Sequence, residues 1–119
     1  MRETGILGRV ITTKIGIVLS TNDPETAWNA IRFGVSSLRK RHSVRVFLLG
    51  KGVEIEDLDG GTFDILTRLE DYIRAGGEIL ACGTCLKIRN KSGSRVCPIS
   101  GLSDMLAIVE DSDRLLTFG

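Results

Sequence analysis

The sequence predicts an α/β domain: a three-layer α/β/α sandwich around a five-stranded, mainly parallel sheet. Short apolar, β-branched runs with the length of buried strands alternate along the chain with segments of helical periodicity. Strands joined by helices lie parallel, because a parallel pair needs a long crossover connection. The chain of 119 residues has the length of one domain with its own core, so neither metal nor disulfides are needed for folding.

The first unit is a strand over residues 14–20 (KIGIVLS) followed by a helix. Asp23 can cap this helix with Pro24 at its first position. Apolar residues then recur at helical spacing. The helix is expected to end in the basic segment 39–42 (RKRH), because cations suit the negative end of a helix dipole.

The remaining elements repeat the same alternation. A second strand over 44–50 leads into a loop rich in glycine and acidic residues, 51–61, and a second helix covers 62–77. The later elements are a strand over 78–82, a short helix over 83–90, a strand over 95–100 that Pro98 shortens, a helix over 101–113 and a strand over 114–118.

Composition narrows the class of protein. Sixteen Lys and Arg against fifteen Asp and Glu give a net charge of +1. The chain therefore lacks the excess of positive charge that would indicate binding to nucleic acid. No apolar run reaches membrane-spanning or signal-peptide length. Three cysteines, an odd number, do not suit a disulfide framework, so we expect a cytoplasmic protein. Residues 1–13 are expected to form an N-terminal arm and 14–119 the single domain.

The candidate site lies at the carboxyl edge of the predicted sheet, where ligands bind in parallel α/β folds. The sequence places there the motif Cys82-Gly-Thr-Cys85 and residues that follow the other strands. His42 precedes the second strand and is expected at the opposite edge, which argues against a Cys-His nucleophile pair. The predicted pocket residues are Ser20, Asn22, Gly50, Gly83, Thr84, Lys87, Cys97 and Pro98.

Cys82 is the strongest candidate for chemistry. It ends a strand where a helix begins, so backbone N–H groups and the helix dipole are expected to favour its thiolate, with Lys87 and Arg89 adding positive charge nearby. Gly83 permits close approach of a ligand. The alternatives are a redox couple with Cys85, a buried apolar cysteine, or zinc ligation together with Cys97, although zinc requires a fourth ligand. The order of elements does not fit thioredoxin.

Four segments carry a family resemblance: STNDPETAWNAIRFG, VRVFLLGKGVE, LEDYIRAGGEILACGTCLKIR and CPISGLSDMLAIVEDSDRLLTF. Together they resemble the DsrE family of sulfur-relay proteins over about residues 14–118. The most specific part is a cysteine at the end of the third strand in an ACGTCLK context. The N-terminal arm falls outside the resemblance.

The resemblance implies a DsrEFH-like fold, a variant of the flavodoxin-like arrangement, and assembly into homo-oligomers, either trimers or hexamers. It also implies a sulfurtransferase-like carrier in which Cys82 holds sulfane sulfur as a persulfide. Cys85 matches a second cysteine found in some members and is expected to assist or resolve. The implied partners are sulfur donor and acceptor proteins or small sulfane-sulfur compounds, with no cofactor, metal, nucleic acid or membrane.

Two other functions stay open from the sequence alone. One is a dithiol oxidoreductase or redox sensor that uses a Cys82–Cys85 disulfide. The other is a metal- or ligand-binding oligomer without turnover. Trp28 and Phe33 of the first helix are candidates for the apolar contact between subunits.

Overall fold

The computed structural model describes residues 12–58 and 61–119 and contains one five-stranded parallel sheet. A 3-10 helix, Gly50–Asp57, lies between the second strand and the second α-helix. The other elements, in chain order, are β1 (Lys14–Leu19), α1 (Pro24–Arg39), β2 (Ser43–Leu48), α2 (Ile65–Arg74), β3 (Glu78–Cys82), α3 (Gly83–Ile88), β4 (Ile99–Ser100), α4 (Leu102–Asp111) and β5 (Arg114–Phe118).

The strand order is β4-β3-β2-β1-β5, and every pair of neighbours is parallel. The chain steps in one direction from β1 to β4, so right-handed crossovers place α1 and α2 on the same face. The connection from β4 returns across the whole sheet to β5 and places α4 on the other face. There, a methyl group on Gly16 of β1 would lie only 2.8 Å from Cγ2 of Ile108 in α4. The three-layer α/β/α fold is thereby confirmed.

Side-chain caps define where the two long helices begin. The Asp23 carboxylate accepts a hydrogen bond from the Thr26 N–H at 2.9 Å, as the sequence predicted for α1. The Asp64 carboxylate accepts one from the Thr67 N–H at 3.1 Å. Because Asp64 is the cap, α2 begins at residue 65 rather than at the predicted residue 62.

Tyr72 of α2 joins the helical layer to the sheet. Its side chain is fully buried, and its hydroxyl lies 3.1 Å from the Val44 carbonyl oxygen and 2.9 Å from that of Glu78. Gly34 of α1 packs on the ring, since a methyl group at that position would lie 2.8 Å from the Tyr72 Cε1. α1 and α2 therefore pack closely over the amino-terminal parts of β2 and β3, at the end of the sheet opposite the cysteines.

Three predictions of local structure were wrong in detail. Residues 51–57, predicted as loop, belong to the 3-10 helix. The fourth strand is only two residues long, because pairing with β3 is regular only at Ile99 and Ser100. The fifth strand was predicted to be buried, but it lies at an edge of the sheet, and Leu115 and Leu116 are 42% and 38% exposed. The predicted arm lies largely outside the described residues, which begin at residue 12.

Helix α4 is apolar on its outer side as well as its inner side. Ile108 is fully buried against the sheet, whereas Leu102, Leu106 and Val109 are 62%, 56% and 40% exposed. These three residues follow helical spacing and form one outward line, which we call the α4 stripe. Within residues 12–58 and 61–119, no helix combines the length and the apolar character needed to cross a membrane.

Candidate functional site

Cys82 is the last residue of β3 and the N-cap of α3. Its Sγ accepts a hydrogen bond from the Cys85 backbone N–H at 3.4 Å, in the place of the oxygen acceptor that caps most helices. The Cys82 side chain is buried, at 3% exposure, while Cys85 is half-buried. All three cysteines are free thiols. The two cysteines of the motif therefore lie together at the carboxyl edge, with Cys85 the more accessible.

Cys85 also touches the segment that follows β2. The Gly50 backbone N–H donates a hydrogen bond of 3.1 Å to the Cys85 Sγ. Gly50 has a φ of 55°, in the left-handed region that glycine adopts readily, and this turn directs its N–H toward α3. This hydrogen bond fixes the position of the Cys85 sulfur beside Cys82.

The 3-10 helix is held over the ends of the central strands by a close backbone approach. A methyl group on Gly52 would lie 2.1 Å from the Leu19 carbonyl oxygen, so any side chain there would displace the segment. The Leu49 N–H donates to that same carbonyl at 3.0 Å. Gly52 therefore positions the wall that carries the Gly50 donor.

The pKa of Cys82 does not follow the sequence expectation. Burial raises it above its ordinary value, and the neighbouring Cys85 thiol raises it further. The N–H groups of Cys85 and Thr84 act in the opposite direction but do not outweigh burial. The N–H groups at the helix start thus favour the thiolate as predicted, but the sequence did not anticipate that burial would raise the pKa overall. Lys87 is exposed in the last turn of α3 and is not among the groups that shift this pKa.

A polar network closes the other side of Cys85. Arg89 donates from Nε to the Glu54 carboxylate at 2.6 Å and from Nη1 to the Cys85 carbonyl oxygen at 3.1 Å. Asn22, after β1, donates to the second oxygen of Glu54 at 3.1 Å. These hydrogen bonds, Arg89 first, lower the pKa of Glu54. The network ties the ends of β1, the 3-10 helix and α3 into one wall.

Other predicted pocket residues lie around this centre or away from it. Gly83 packs under β4, where a methyl group would meet the Ser100 carbonyl oxygen at 3.0 Å, and Thr84 is exposed. The Ser20 N–H donates to the Phe118 carbonyl oxygen at 2.9 Å, so Ser20 is engaged with β5, on the far side of β1 from β3. Pro98 is exposed and continues the pairing of β3 with β4 through its carbonyl oxygen.

Cys97 lies in a separate environment. It is buried, its N–H donates to the Ser94 Oγ at 2.9 Å, and Ser94 in turn donates to the Glu56 carboxylate at 2.7 Å. Burial, followed by the charge of Glu56, raises the pKa of Cys97 to about 12. At neutral pH Cys97 is therefore a buried thiol beside the Glu56 carboxylate.

His42 lies at the amino edge of the sheet, as predicted. Its Nδ1 accepts a hydrogen bond from the Thr13 N–H at 3.0 Å, just before β1 begins. Within the described parts of the chain, no three His, Cys, Asp or Glu side chains converge as a metal site would require.

The sequence did not identify Glu54 as part of the site. Glu54 sits in a segment predicted as loop, and its partner Arg89 is 35 residues away. Nothing in the local pattern marks such a pair. The sequence did indicate Asn22 and Gly50, because each follows a strand at the carboxyl edge, and Arg89 as a positive charge near Cys82, but not its pairing with Glu54.

Comparison with known proteins places these features in context. Residues 13–118 match the DsrE/DsrF-like family. The chain is 28% identical over 100 residues to an uncharacterized protein of Methanocaldococcus jannaschii, covering 79% of this chain and 88% of the relative. It is 29% identical over 100 residues to an uncharacterized protein of Methanopyrus kandleri, covering 79% and 83% respectively.

A solved structure supports the fold independently. A conserved protein of unknown function from Bacteroides thetaiotaomicron superposes with a TM-score of 0.72 over 88% of this chain and 94% of that one, at 16% identity. At this identity the likeness concerns the fold alone. The family match extends from just before β1 to the last residue of β5, so it covers all five strands of the sheet and the whole CGTC motif. The chain therefore belongs to the DsrE/DsrF-like family.

Proposed function

We propose that this chain carries sulfane sulfur as a persulfide on Cys82, with Cys85 as the assisting and resolving thiol. Membership of the DsrE/DsrF-like family supports a role related to sulfur relay. The observation that carries the proposal is the pairing of a buried thiol with a half-buried one at the carboxyl edge. Burial suits a carrier, because it shields a bound persulfide from other thiols.

The loading step is an exchange at sulfur. The Cys82 thiolate attacks the outer sulfur of a donor persulfide R–S–SH, a new S–S bond forms at Cys82, the donor S–S bond breaks, and R–S⁻ leaves and takes up the proton released by Cys82. Unloading is the same reaction in reverse toward an acceptor thiolate, and no oxidant is needed. Because the pKa of Cys82 is raised, the thiolate is the minor form at neutral pH, and loading accelerates as pH rises.

Cys85 adds a second outcome. Its Sγ is held by the Gly50 N–H beside Cys82, so it can attack the inner sulfur of the persulfide. That attack forms a Cys82–Cys85 disulfide and releases hydrosulfide. An external reductant, such as a dithiol, must then restore both thiols. Direct transfer and resolution therefore compete, and the accessibility of Cys85 sets the balance.

Intact-protein mass spectrometry tests the proposal. Wild type, Cys82→Ser, Cys85→Ser and Cys97→Ser are exposed to glutathione persulfide and then alkylated under matched conditions. We expect Cys85→Ser to gain the mass of one sulfur atom, wild type and the Cys97→Ser control to show both this adduct and the Cys82–Cys85 disulfide, and Cys82→Ser to gain no sulfur. If Cys82→Ser takes up sulfur as fully as wild type, the assignment fails.

A redox couple is the second candidate, favoured by the contact between the two thiols. In that case the donor produces only the loss of two hydrogens, both cysteines are required, and no variant retains added sulfur. A reduction potential in the range of the catalytic dithiols would support this function.

We also propose that the chain assembles into a homo-oligomer, a trimer or a hexamer. The α4 stripe and Leu115 place exposed apolar residues on the same face of the sheet, and adjoining exposed apolar residues of this kind are typical of an interaction surface. The aromatic residues of α1 are weaker candidates than the sequence indicated. Trp28 packs on Phe63, with ring centroids 5.2 Å apart, and only Phe33 is exposed.

A further inference from the structure

A basic cavity lies between α1 and α2, away from the cysteines. Its volume is about 360 Å³, and its polar lining is Arg32, Ser36, Arg39, Lys40, Arg68 and Asp71. Arg39 and Lys40 stand at the end of α1 that leads into β2, near the amino edge of the sheet, whereas Cys82 and Cys85 lie at the carboxyl edge. Four cationic side chains against one carboxylate concentrate positive charge in a chain whose net charge is only +1.

The single carboxylate does not neutralise this cluster. Asp71 binds Nη2 of Arg68 at 3.0 Å and also Nη1 of Arg74 at 3.1 Å, so its charge is shared with a residue outside the cavity. Within the described parts of the chain, Arg39 and Lys40 have no ion-pair partner. The cavity therefore keeps an excess of positive charge that a bound anion would balance.

Arg68 supplies a more specific observation. Its Nε is buried and has no hydrogen-bond partner among the described residues. A buried N–H group without an acceptor is costly, and native proteins rarely leave one unpaired. Asp71 fixes the guanidinium in the cavity wall, and the Arg68 side chain is 34% exposed there, so this arginine is oriented before any ligand binds.

Arg32 is also held in place before any ligand binds. Its guanidinium carbon lies 4.3 Å from the centroid of the Trp28 ring, and its Nη1 donates to the Asn29 side chain at 2.8 Å. A preorganised arginine loses less conformational entropy on binding. Arginine forks match the oxygen geometry of phosphate groups, and several cations together match a group with more than one negative charge.

We propose that this cavity binds a small ligand through a polyphosphate group, such as pyrophosphate itself or the diphosphate of a nucleotide. A volume of about 360 Å³ lies at the lower end of the range for small-molecule pockets. Single-stranded RNA fits less well, because its binding sites pair a basic track with exposed aromatic faces. Here the Trp28 ring is occupied by Arg32 and Phe63, and the cations converge on one cavity.

Fluorescence of Trp28, the only tryptophan, gives a direct readout, because Arg32 lies over its ring. Pyrophosphate is titrated at constant ionic strength into wild type, Arg39→Gln, Arg68→Gln and the control Arg95→Gln, which is paired with Glu70 of α2 but does not line the cavity. We expect saturable binding to wild type and Arg95→Gln, and a loss of about tenfold in affinity for each of the other two variants. Arg39 is exposed, so its variant keeps the test valid if Arg68→Gln fails to fold.

Comparing the affinities for pyrophosphate, ADP and AMP shows whether the cavity recognises a whole nucleotide or the diphosphate group alone. Tighter binding of ADP assigns the site to a nucleotide, and equal binding of ADP and pyrophosphate assigns it to the diphosphate alone. The proposal is overturned if sodium chloride reproduces the response, if AMP binds as tightly as ADP, or if RNA binds while pyrophosphate does not saturate. None of these outcomes depends on sulfur transfer at Cys82.

Discussion

The Gly50 N–H donates a hydrogen bond of 3.1 Å to the Cys85 Sγ, joining the turn after β2 to the helix after β3 across 35 residues of chain. This contact gives Cys85 a fixed orientation beside Cys82. Cys85, the more exposed thiol, therefore accepts a backbone hydrogen bond from a distant segment of the chain. The buried Cys82 thiol accepts its backbone hydrogen bond from the first turn of its own helix.

Two replacements of Cys85 measure how much the hydrogen bond from the Gly50 N–H contributes to stability. Cys85→Ala leaves the Gly50 N–H without its acceptor, whereas Cys85→Ser retains an oxygen in nearly the same position. We expect the free energy of unfolding of Cys85→Ala to be about 1 kcal/mol below that of Cys85→Ser, measured by urea denaturation. If the alanine variant proves as stable as the serine variant, the hydrogen bond contributes nothing to folding.

The pH dependence of Cys82 follows from its burial. In Cys85→Ser, where the neighbouring thiol is gone but burial remains, we expect the pKa of Cys82 to lie above its ordinary value and below that in wild type. The rate of alkylation by iodoacetamide, followed at the peptide level, should therefore keep rising at pH values where glutathione has levelled off. A plateau at or below neutral pH would mean that the N–H groups at the start of α3 dominate after all.

The ionisation of Glu54 is expected to make the stability of the folded protein depend on pH in the acid range. Its hydrogen bonds with Arg89 and Asn22 lower its pKa in the folded protein below the ordinary 4.5, so the folded state favours the charged form. This contribution is fully present above pH 4.5 and is lost as pH falls through the folded pKa. Wild type should therefore exceed Glu54→Gln in stability at neutral pH, and the difference should shrink in acid.

Glu110→Gln is the matched control for this prediction, because Glu110 is exposed and has no ion pair among the described residues. Urea denaturation at several pH values measures both variants. A difference between wild type and Glu54→Gln that stays constant from neutral to acid pH would contradict the role assigned to the ion pair.

The α4 stripe is expected to hold subunits together. Leu106→Glu places a charge at the centre of the stripe and should reduce the mass measured by light scattering, because an unpaired charge in an apolar interface is strongly unfavourable. Ser103→Glu, exposed on the same helix but outside the stripe, should leave the mass unchanged. A monomeric wild type at micromolar concentration would contradict the proposed assembly.

The order of strands and the exposure of β5 were beyond the reach of the sequence. The run RLLTF has the composition of a buried strand, yet β5 pairs only with β1 and forms an edge. Composition reports how apolar a segment is, not how many neighbours it has. If the α4 face is a subunit contact, Leu115, which shares that face, becomes buried in the assembly, which explains its apolar character.

The sequence by itself determined the alternation of strands and helices, the cap at Asp23 and the position of Cys82 where β3 ends. Each depends on residues within a few positions of one another, and local periodicity records such relationships. The tertiary structure alone decided that Gly50 donates to Cys85, that Glu54 pairs with Arg89, and that burial raises the pKa of Cys82. Those properties arise from packing between distant segments, and the free energy of a charge depends on what surrounds it in space rather than on its neighbours in the chain.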